Sequence, residues 1–309
     1  MLIAAAKEAG ADAVKFQAYT ADTITIDCEH PDFTVKSGPW KGRKLYELYS
    51  ETETPFDWFP SLFEYARKNN ITAFASVFDK SSIDMLEELD CPAYKIASME
   101  ITDIPLIKYV AATGKPLIIS TGMATQPDLI RVGEAIEPRV AAWLACVSGY
   151  PTPLAEAGLH RFQKLYSQYG VYGISDHTLG WEVPVAATAL GACIIEKHLN
   201  MHPDNGSEDA DFSLTPIEFE IMVRNVRQIW RAMQPSEAKS EEPSRQLRRS
   251  LYVVSDMSAG ELFTEQNVRS IRPAYGLPSK NLPDILGRKA LKGIKRGTAL
   301  AWDLMEPLS

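Results

Sequence analysis

The chain has 309 residues, of which 45% are hydrophobic and 23% charged, with four cysteines and a formal net charge of -8. That balance belongs to a soluble globular protein long enough for one barrel and a small appendage. It excludes a membrane span, since no run approaches the roughly 18 to 20 apolar residues required, and argues against a general nucleic-acid binder, since no basic stripe offsets the acidity.

Met1-Leu-Ile-Ala-Ala-Ala-Lys-Glu-Ala-Gly10 has no basic n-region and reads as the end of an amphipathic helix, not as a signal peptide. Cys28, Cys91, Cys146 and Cys193 show no CxxC spacing, and the last three lie in apolar runs. The expectation is reduced core cysteines in a cytoplasmic protein.

From Ala13 onward, short β-branched or apolar runs alternate with amphipathic segments, the pattern of βα units on a parallel sheet. Strands are predicted at 13–18, 72–77, 93–97, 116–120, 140–146, 171–174 and 193–197. Helices are predicted at 56–68, 81–89, 104–112, 126–136, 156–167, 182–190 and 216–233, the last behind the N-cap candidate Thr215 with Pro216 in first position. Seven strands are one short of the eight that close a barrel, and the chain begins where a first helix would be finishing. The predicted fold is therefore α/β, a TIM (β/α)8-type barrel lacking its first strand in this chain. On that reading about thirty further residues precede Met1 in the working protein, the size of one βα unit, and the edges at Ala13 and Cys193 are left unpaired. An open doubly wound sheet competes, but no Gly-rich phosphate loop follows any strand.

The longest connection, 19–54, carries Gly38-Pro-Trp-Lys-Gly-Arg-Lys-Leu-Tyr-Glu-Leu-Tyr49 and is expected to form a lid, with Trp40, Tyr46 and Tyr49 either packing it down or touching ligand. The polar, proline-bearing stretch after Met233 reads as a linker. The division is thus a barrel domain over 1–233, a linker over 234–247 and a small β-rich module over 248–309.

Two of the five histidines in the chain end consecutive predicted strands, His177 in Gly173-Ile-Ser-Asp-His-Thr-Leu-Gly180 and His198 in Ile194-Ile-Glu-Lys-His198. They read as a metal pair; structural histidines bonded to loop carbonyls are the other reading. The remaining strand ends supply Lys15, Gln17, Ser76, Lys95, Ser98, Glu100, Ser120, Ser148, Tyr150, Ser175 and Glu196. Two lysines, several hydroxyls and two imidazoles in one mouth suit a phosphorylated or carboxylated small molecule beside a divalent cation. A Schiff base on Lys95 or Lys15 is an alternative mechanism. A non-catalytic sugar-binding protein is an alternative of another class.

Val14-Lys-Phe-Gln17, Tyr94-Lys-Ile-Ala-Ser98, Ile119-Ser-Thr-Gly122, Ser148-Gly-Tyr-Pro-Thr152, Gly173-Ile-Ser-Asp-His-Thr178 and Ile195-Glu-Lys-His198 resemble the signature segments of the sialic acid synthase family. Arg249-Ser-Leu-Tyr252, Ser270-Ile-Arg-Pro273 and Leu286-Gly-Arg-Lys289 resemble that family's antifreeze-like (SAF) domain. Segments 40–49, 54–58 and 207–214 are similar to its pseudaminic branch, with N-acetylneuraminate or legionaminate synthesis as the alternative. The resemblance implies condensation of phosphoenolpyruvate with a 2,4-diacetamido-2,4,6-trideoxy hexose and release of phosphate. It implies Mn2+ or Mg2+ on His177 and His198. Lys15, Ser76, Lys95, Ser98, Ser120, Ser148 and Ser175 then hold the phosphoenolpyruvate, and Glu100, Gln17, Tyr150 and Asp209 face the sugar. Arg272 is implied to reach the sugar from the partner of a domain-swapped homodimer. Three departures stand out: Val147 in place of threonine, Ser148 in place of the asparagine of N-acetylneuraminate synthases, and the missing first strand with its acidic residue.

Overall fold

The computed structural model describes residues 1–137, 141–160, 162, 170–202, 206–235 and 239–307. The chain divides into two compact units, Met1–Gln234 and Pro235–Ser309.

The first unit opens with helix α1 (Leu2–Glu8) and carries seven parallel strands: β1 (Ala13–Ala18), β2 (Thr72–Val77), β3 (Tyr94–Ile96), β4 (Leu117–Ser120), β5 (Ala141–Cys146), β6 (Val171–Asp176) and β7 (Ile194–Lys197). Among the described residues each pairs only with its sequence neighbours, in the order β1 to β7. The connecting helices include α2 (Ala21–Ile24), α3 (Leu45–Thr52), α4 (Phe59–Lys68), α5 (Lys80–Glu88), α6 (Ile104–Ala112), α7 (Gln126–Ile136), α8 (Glu182–Ala189) and α9 (Pro216–Met233). Their starts follow local chemistry. Asp79 and Asp103 accept from the first-turn amides of Ser82 and Leu106, while Thr125 with Asp128 and Thr215 with Glu218 form reciprocal capping boxes. Half of the helix expected over 156–167 falls outside the described residues, as does Val140.

A flat sheet would hold β1 and β7 about 29 Å apart, six intervals of about 4.8 Å. Instead Lys15 Nζ of β1 lies 2.9 Å from Glu196 Oε1 of β7, so the sheet curls until its two ends face each other across the mouth. The outer helices meet as well: Arg227 of α9 donates to Gly10 O at 3.0 Å and Asp12 Oδ1 at 2.8 Å, just beyond α1. Among the described residues no backbone ladder joins β1 to β7.

The core between sheet and helices is built from Phe59, Phe63, Ile83, Leu86, Ile96, Ile107, Val110, Leu117 and Ile119, with a second cluster around Phe162, Tyr172, Ile174 and Val183. Gly173 is required in β6, because a Cβ there would stand 2.1 Å from the Ile194 carbonyl oxygen of β7. Cys91 is buried as expected of a core residue, but Cys193 is exposed. It precedes β7 at the edge of the sheet, where apolar neighbours in sequence do not mean burial. Among the described residues no helix is long and apolar enough to cross a membrane.

The 19–54 connection is more structured than a loop reading expects. It contains α2 and α3, and Tyr19 stacks edge-on against Tyr49 with ring centroids 5.6 Å apart. The second unit has its own core of Leu251, Val253, Phe263, Val268, Ile285 and Leu300 around an antiparallel pair, β8 (Ser250–Val253) and β9 (Val268–Ile271).

Candidate active site

The carboxyl ends of parallel strands gather polar side chains because the backbone there leaves the ladder and the βα turns begin. Lys95 is the most buried of the charged groups that face the mouth, 2% exposed. Its ammonium donates to Ser120 Oγ at 2.6 Å and the Ile96 carbonyl at 3.4 Å, and stands 3.6 Å from Glu196 Oε1. That same carboxylate oxygen takes Lys15 Nζ at 2.9 Å and the Ser175 hydroxyl at 2.7 Å. One acid on β7 therefore gathers side chains from β1, β3 and β6. Burial pushes the Glu196 carboxyl up, but Lys15 and Lys95 outweigh it and hold it far below the ordinary carboxylate range. Burial also pushes Lys95 down to about 8, with Glu196 opposing and Lys15 adding.

Beside this trio, the Gly122 amide donates to Ser98 Oγ at 3.2 Å. A Cβ on Gly122 would stand 2.6 Å from Ser148 Oγ and 2.7 Å from Ser98 Oγ. The missing side chain thus keeps open a cradle of two hydroxyls. Ser76 is buried, its Cα paired with that of Lys95 across β2 and β3.

His177 and His198 face each other with ring centroids 5.4 Å apart. Each ring is tethered through Nδ1, His177 to the Val147 carbonyl at 3.2 Å and His198 to Asp209 Oδ2 at 3.3 Å, so Nε2 is the nitrogen each can offer a ligand. Burial, with His198 alongside, pushes His177 down to about 4, which leaves it a neutral donor at pH 7. Burial raises the Asp209 carboxyl, but its hydrogen bond with His198 carries it below the usual range. Two imidazoles that each keep Nε2 free, with an oriented carboxylate behind one of them, fit a divalent ion that takes its other ligands from water or substrate. Among the described residues no cluster of three or more His, Cys, Asp or Glu side chains could hold one.

An aromatic wall completes the mouth. Tyr150 lies 4.5 Å from His177, 5.3 Å from Phe212 and 6.0 Å from Trp40, ring centroid to ring centroid. Trp40 thus brings the 19–54 segment against the site's aromatic wall, while Tyr49 packs on Tyr19 and Tyr46 donates to Asp22. Glu100 follows β3, and its Oε2 is buried with no hydrogen-bond partner. Burial carries its carboxyl up to about 7 against the pull of its own backbone amide and Lys95.

Of the residues singled out in the sequence, the structure gathers Lys15, Lys95, Ser120 and Ser175 through direct contacts. Ser98 and Ser148 line one cradle; His177, His198, Tyr150 and Asp209 share another cluster. Gln17 is exposed at the end of β1. Arg272 belongs to the second unit and is exposed there. Sequence reasoning noted Glu196 without giving it a role and passed over Gly122 and Phe212. The signal for Glu196 was available: two residues before His198 on one strand, it faces the same side.

A two-lysine anion site beside a histidine pair, at the mouth of a curled parallel sheet followed by a separate β module, defines a class of synthase, and the chain belongs to the NeuB family over residues 2–238, with a SAF domain over 248–306. It is 42% identical over 305 residues to the pseudaminic acid synthase of Campylobacter jejuni subsp. jejuni serotype O:2, covering 96% of this chain and 89% of that protein. The Helicobacter pylori pseudaminic acid synthase is 40% identical over 310 residues, 98% of this chain and 91% of that one. Among solved structures, the N-acetylneuraminic acid synthetase of Leptospira borgpetersenii serovar Hardjo-bovis matches with TM-score 0.70 and 30% identity, over 79% of this chain and 84% of that one.

Proposed function

We propose that the chain is a pseudaminic acid synthase, a C–C bond forming transferase that condenses phosphoenolpyruvate with 2,4-diacetamido-2,4,6-trideoxy-L-altropyranose to give pseudaminate and phosphate. The observation that carries this reading is the convergence of Lys15 and Lys95 on Glu196, an anion seat beside two facing imidazoles. Similarity favours the sugar: identity is 40–42% to the pseudaminic acid synthases and 32% to an N,N'-diacetyllegionaminic acid synthase of the same Campylobacter strain group.

In this reading Lys15 and Lys95, with Ser76, Ser98, Ser120, Ser148 and Ser175, bind the phosphate and carboxylate of phosphoenolpyruvate. The lysines also offset the charge that grows as phosphate departs. Gln17, Tyr150, Asp209 and Glu100 orient the open-chain sugar so that its aldehyde carbon meets the enol carbon. His177 and His198 would hold a divalent ion, Mn2+ or Mg2+, whose chemistry there would be Lewis-acid polarisation of that aldehyde. Bond formation leaves an oxocarbenium centre; water adds to it, and phosphate leaves by C–O cleavage with its electron pair. Glu100, whose carboxyl sits near 7, is available in both protonation states for the associated proton transfer.

The finer architecture follows the same reading. The curled sheet is a (β/α)8-type barrel open between β1 and β7, the chain divides at 1–233, 234–247 and 248–309, and the working form is a cytoplasmic, domain-swapped homodimer in which Arg272 of one copy serves the sugar bound by the other. Phosphate release by the full-length protein with phosphoenolpyruvate, Mn2+ or Mg2+ and a panel of sugars tests it. Release with the altro sugar is expected; release with N-acetylmannosamine alone would move the protein to the N-acetylneuraminate branch.

A further inference from the structure

Strands β6 and β7 pair in register, Ser175 opposite Glu196 and Asp176 opposite Lys197. One residue further, the same register brings His177 opposite His198. Successive side chains on a strand point to opposite faces, so these three rungs alternate. Ser175–Glu196 and His177–His198 face the mouth, and Asp176–Lys197 faces away from it.

On that far side Lys197 Nζ lies 2.6 Å from Asp176 Oδ2, and the two side chains are 0% and 2% exposed. Thr178 Oγ1 donates to the carboxylate at 2.9 and 3.0 Å, and the Thr178 amide donates to it at 3.2 Å. Lys197 also donates to the Thr178 carbonyl, closing the turn that carries His177. The turn is held from its other side too, where the Thr152 amide donates to the His177 carbonyl at 2.9 Å. A buried ion pair is a weak source of stability, because its desolvation cost offsets its attraction and apolar replacements often do as well. Its best attested use is to fix register, and here the register sets the spacing of the two imidazoles.

We propose that Asp176 and Lys197 are positioning residues for the metal pair: their buried ion pair, braced by Thr178, locks the ends of β6 and β7 so that His177 and His198 keep the separation one shared divalent ion requires. This rests on reading the two histidines as ligands. Neither member of the pair reaches the mouth, so neither touches substrate.

The test is calorimetric titration of Mn2+ alone into the full-length protein. Asp176→Leu with Lys197→Met removes both charges together and leaves no buried charge alone, so circular dichroism and melting temperature are expected to stay close to the parent. Mn2+ affinity is expected to fall about tenfold or more, as when groups that orient metal ligands are removed, and the electron paramagnetic resonance spectrum of bound Mn2+ to change. Thr178→Val, similar in size and leaving the ion pair in place, is expected to weaken Mn2+ about threefold, a smaller loss of the same kind. Parental Mn2+ affinity in the folded double variant overturns the proposal, as does a double variant that does not fold while Thr178→Val binds Mn2+ like the parent. His198→Ala separates the two readings. If it binds Mn2+ as the parent does, the ligand reading has failed; if it loses Mn2+ while the other variants keep it, only the positioning role has failed.

Discussion

Replacing Lys95 by methionine separates a ligand-binding role from a structural one, because the structure assigns different magnitudes to the two. Methionine keeps most of the buried volume and removes the charge. On the stability side, the bonds to Ser120 at 2.6 Å and Ile96 at 3.4 Å are lost, each worth about 1.5–3 kcal/mol because the donor is charged. Relief from burying an ammonium group offsets most of that. Glu196 is not orphaned, since Lys15 at 2.9 Å and Ser175 at 2.7 Å remain. The net loss is about 1 kcal/mol, or about 2–4 °C of melting temperature for a unit of this size. On the binding side, a charge-assisted bond to the phosphate of phosphoenolpyruvate is worth about 1.5–3 kcal/mol, which is roughly 10- to 150-fold in dissociation constant. Burial holds Lys95 at about 8, below the ordinary 10.5. The unfolded chain therefore binds more protons than the native one between those values, and parent stability rises with pH across that window; Lys95→Met is expected to flatten the rise. Calorimetric titration of phosphoenolpyruvate and thermal melts of both proteins measure all three effects. A large drop in melting temperature with parental phosphoenolpyruvate affinity would refute the reasoning and make Lys95 a structural counter-ion of Glu196.

Glu100→Gln is expected to remove an ionisation near pH 7 from the kcat/KM profile. Because burial raises this carboxyl from 4.5 to about 7, its contribution to stability is complete below 4.5 and lost as pH rises through 7, so the variant should also show a flatter stability curve there; an unchanged inflection assigns the ionisation to another group. Gly122→Ala puts a methyl 2.6 Å from Ser148 Oγ and 2.7 Å from Ser98 Oγ, and phosphoenolpyruvate affinity should fall by roughly tenfold or more, the equivalent of 1.4 kcal/mol. Parental affinity would mean that the cradle does not hold this ligand. Borohydride added with pyruvate is expected to leave Lys95 unmodified by mass spectrometry, since its nitrogen already donates to Ser120 and Ile96 and is paired with Glu196; a trapped adduct would restore the Schiff-base mechanism.

The strands and most helices were legible because their signals are local. The capping pairs Thr125 with Asp128 and Thr215 with Glu218 mark helix starts in sequence, and β-branched runs mark the strands to within a residue or two. The polar ring was legible for the same reason, since strand ends can be found once strands are found. What could not be read is which members of the ring meet. Glu196 touches Lys15 only because the sheet curls, a property of the whole strand set and not of any window. The Asp176–Lys197 pair depends on the β6–β7 register, which a shift of one residue would have replaced with a different set of partners. Cys193 shows the converse error: apolar neighbours in sequence suggested burial, and its place at the sheet edge left it exposed.

An acidic chain with an anionic substrate poses an electrostatic question, and the location of its cations answers it. Surface carboxylates lying more than about 8 Å from the mouth are largely screened at physiological ionic strength, so the net charge of -8 has little reach into the site. Lys15 and Lys95 act at contact distance in a partly dehydrated mouth, where each is worth far more than a surface lysine. Two adjacent ammonium groups could not persist there alone, since each would drive the other toward its neutral form. Glu196 supplies the anion that holds them together, ion-paired with both lysines and accepting from Ser175. The trio then carries one excess positive charge, stable enough to stay folded and still short of negative charge. On the function proposed above, phosphoenolpyruvate would make up that deficit without asking the lysines to move far, which is what pre-organisation for an anion requires.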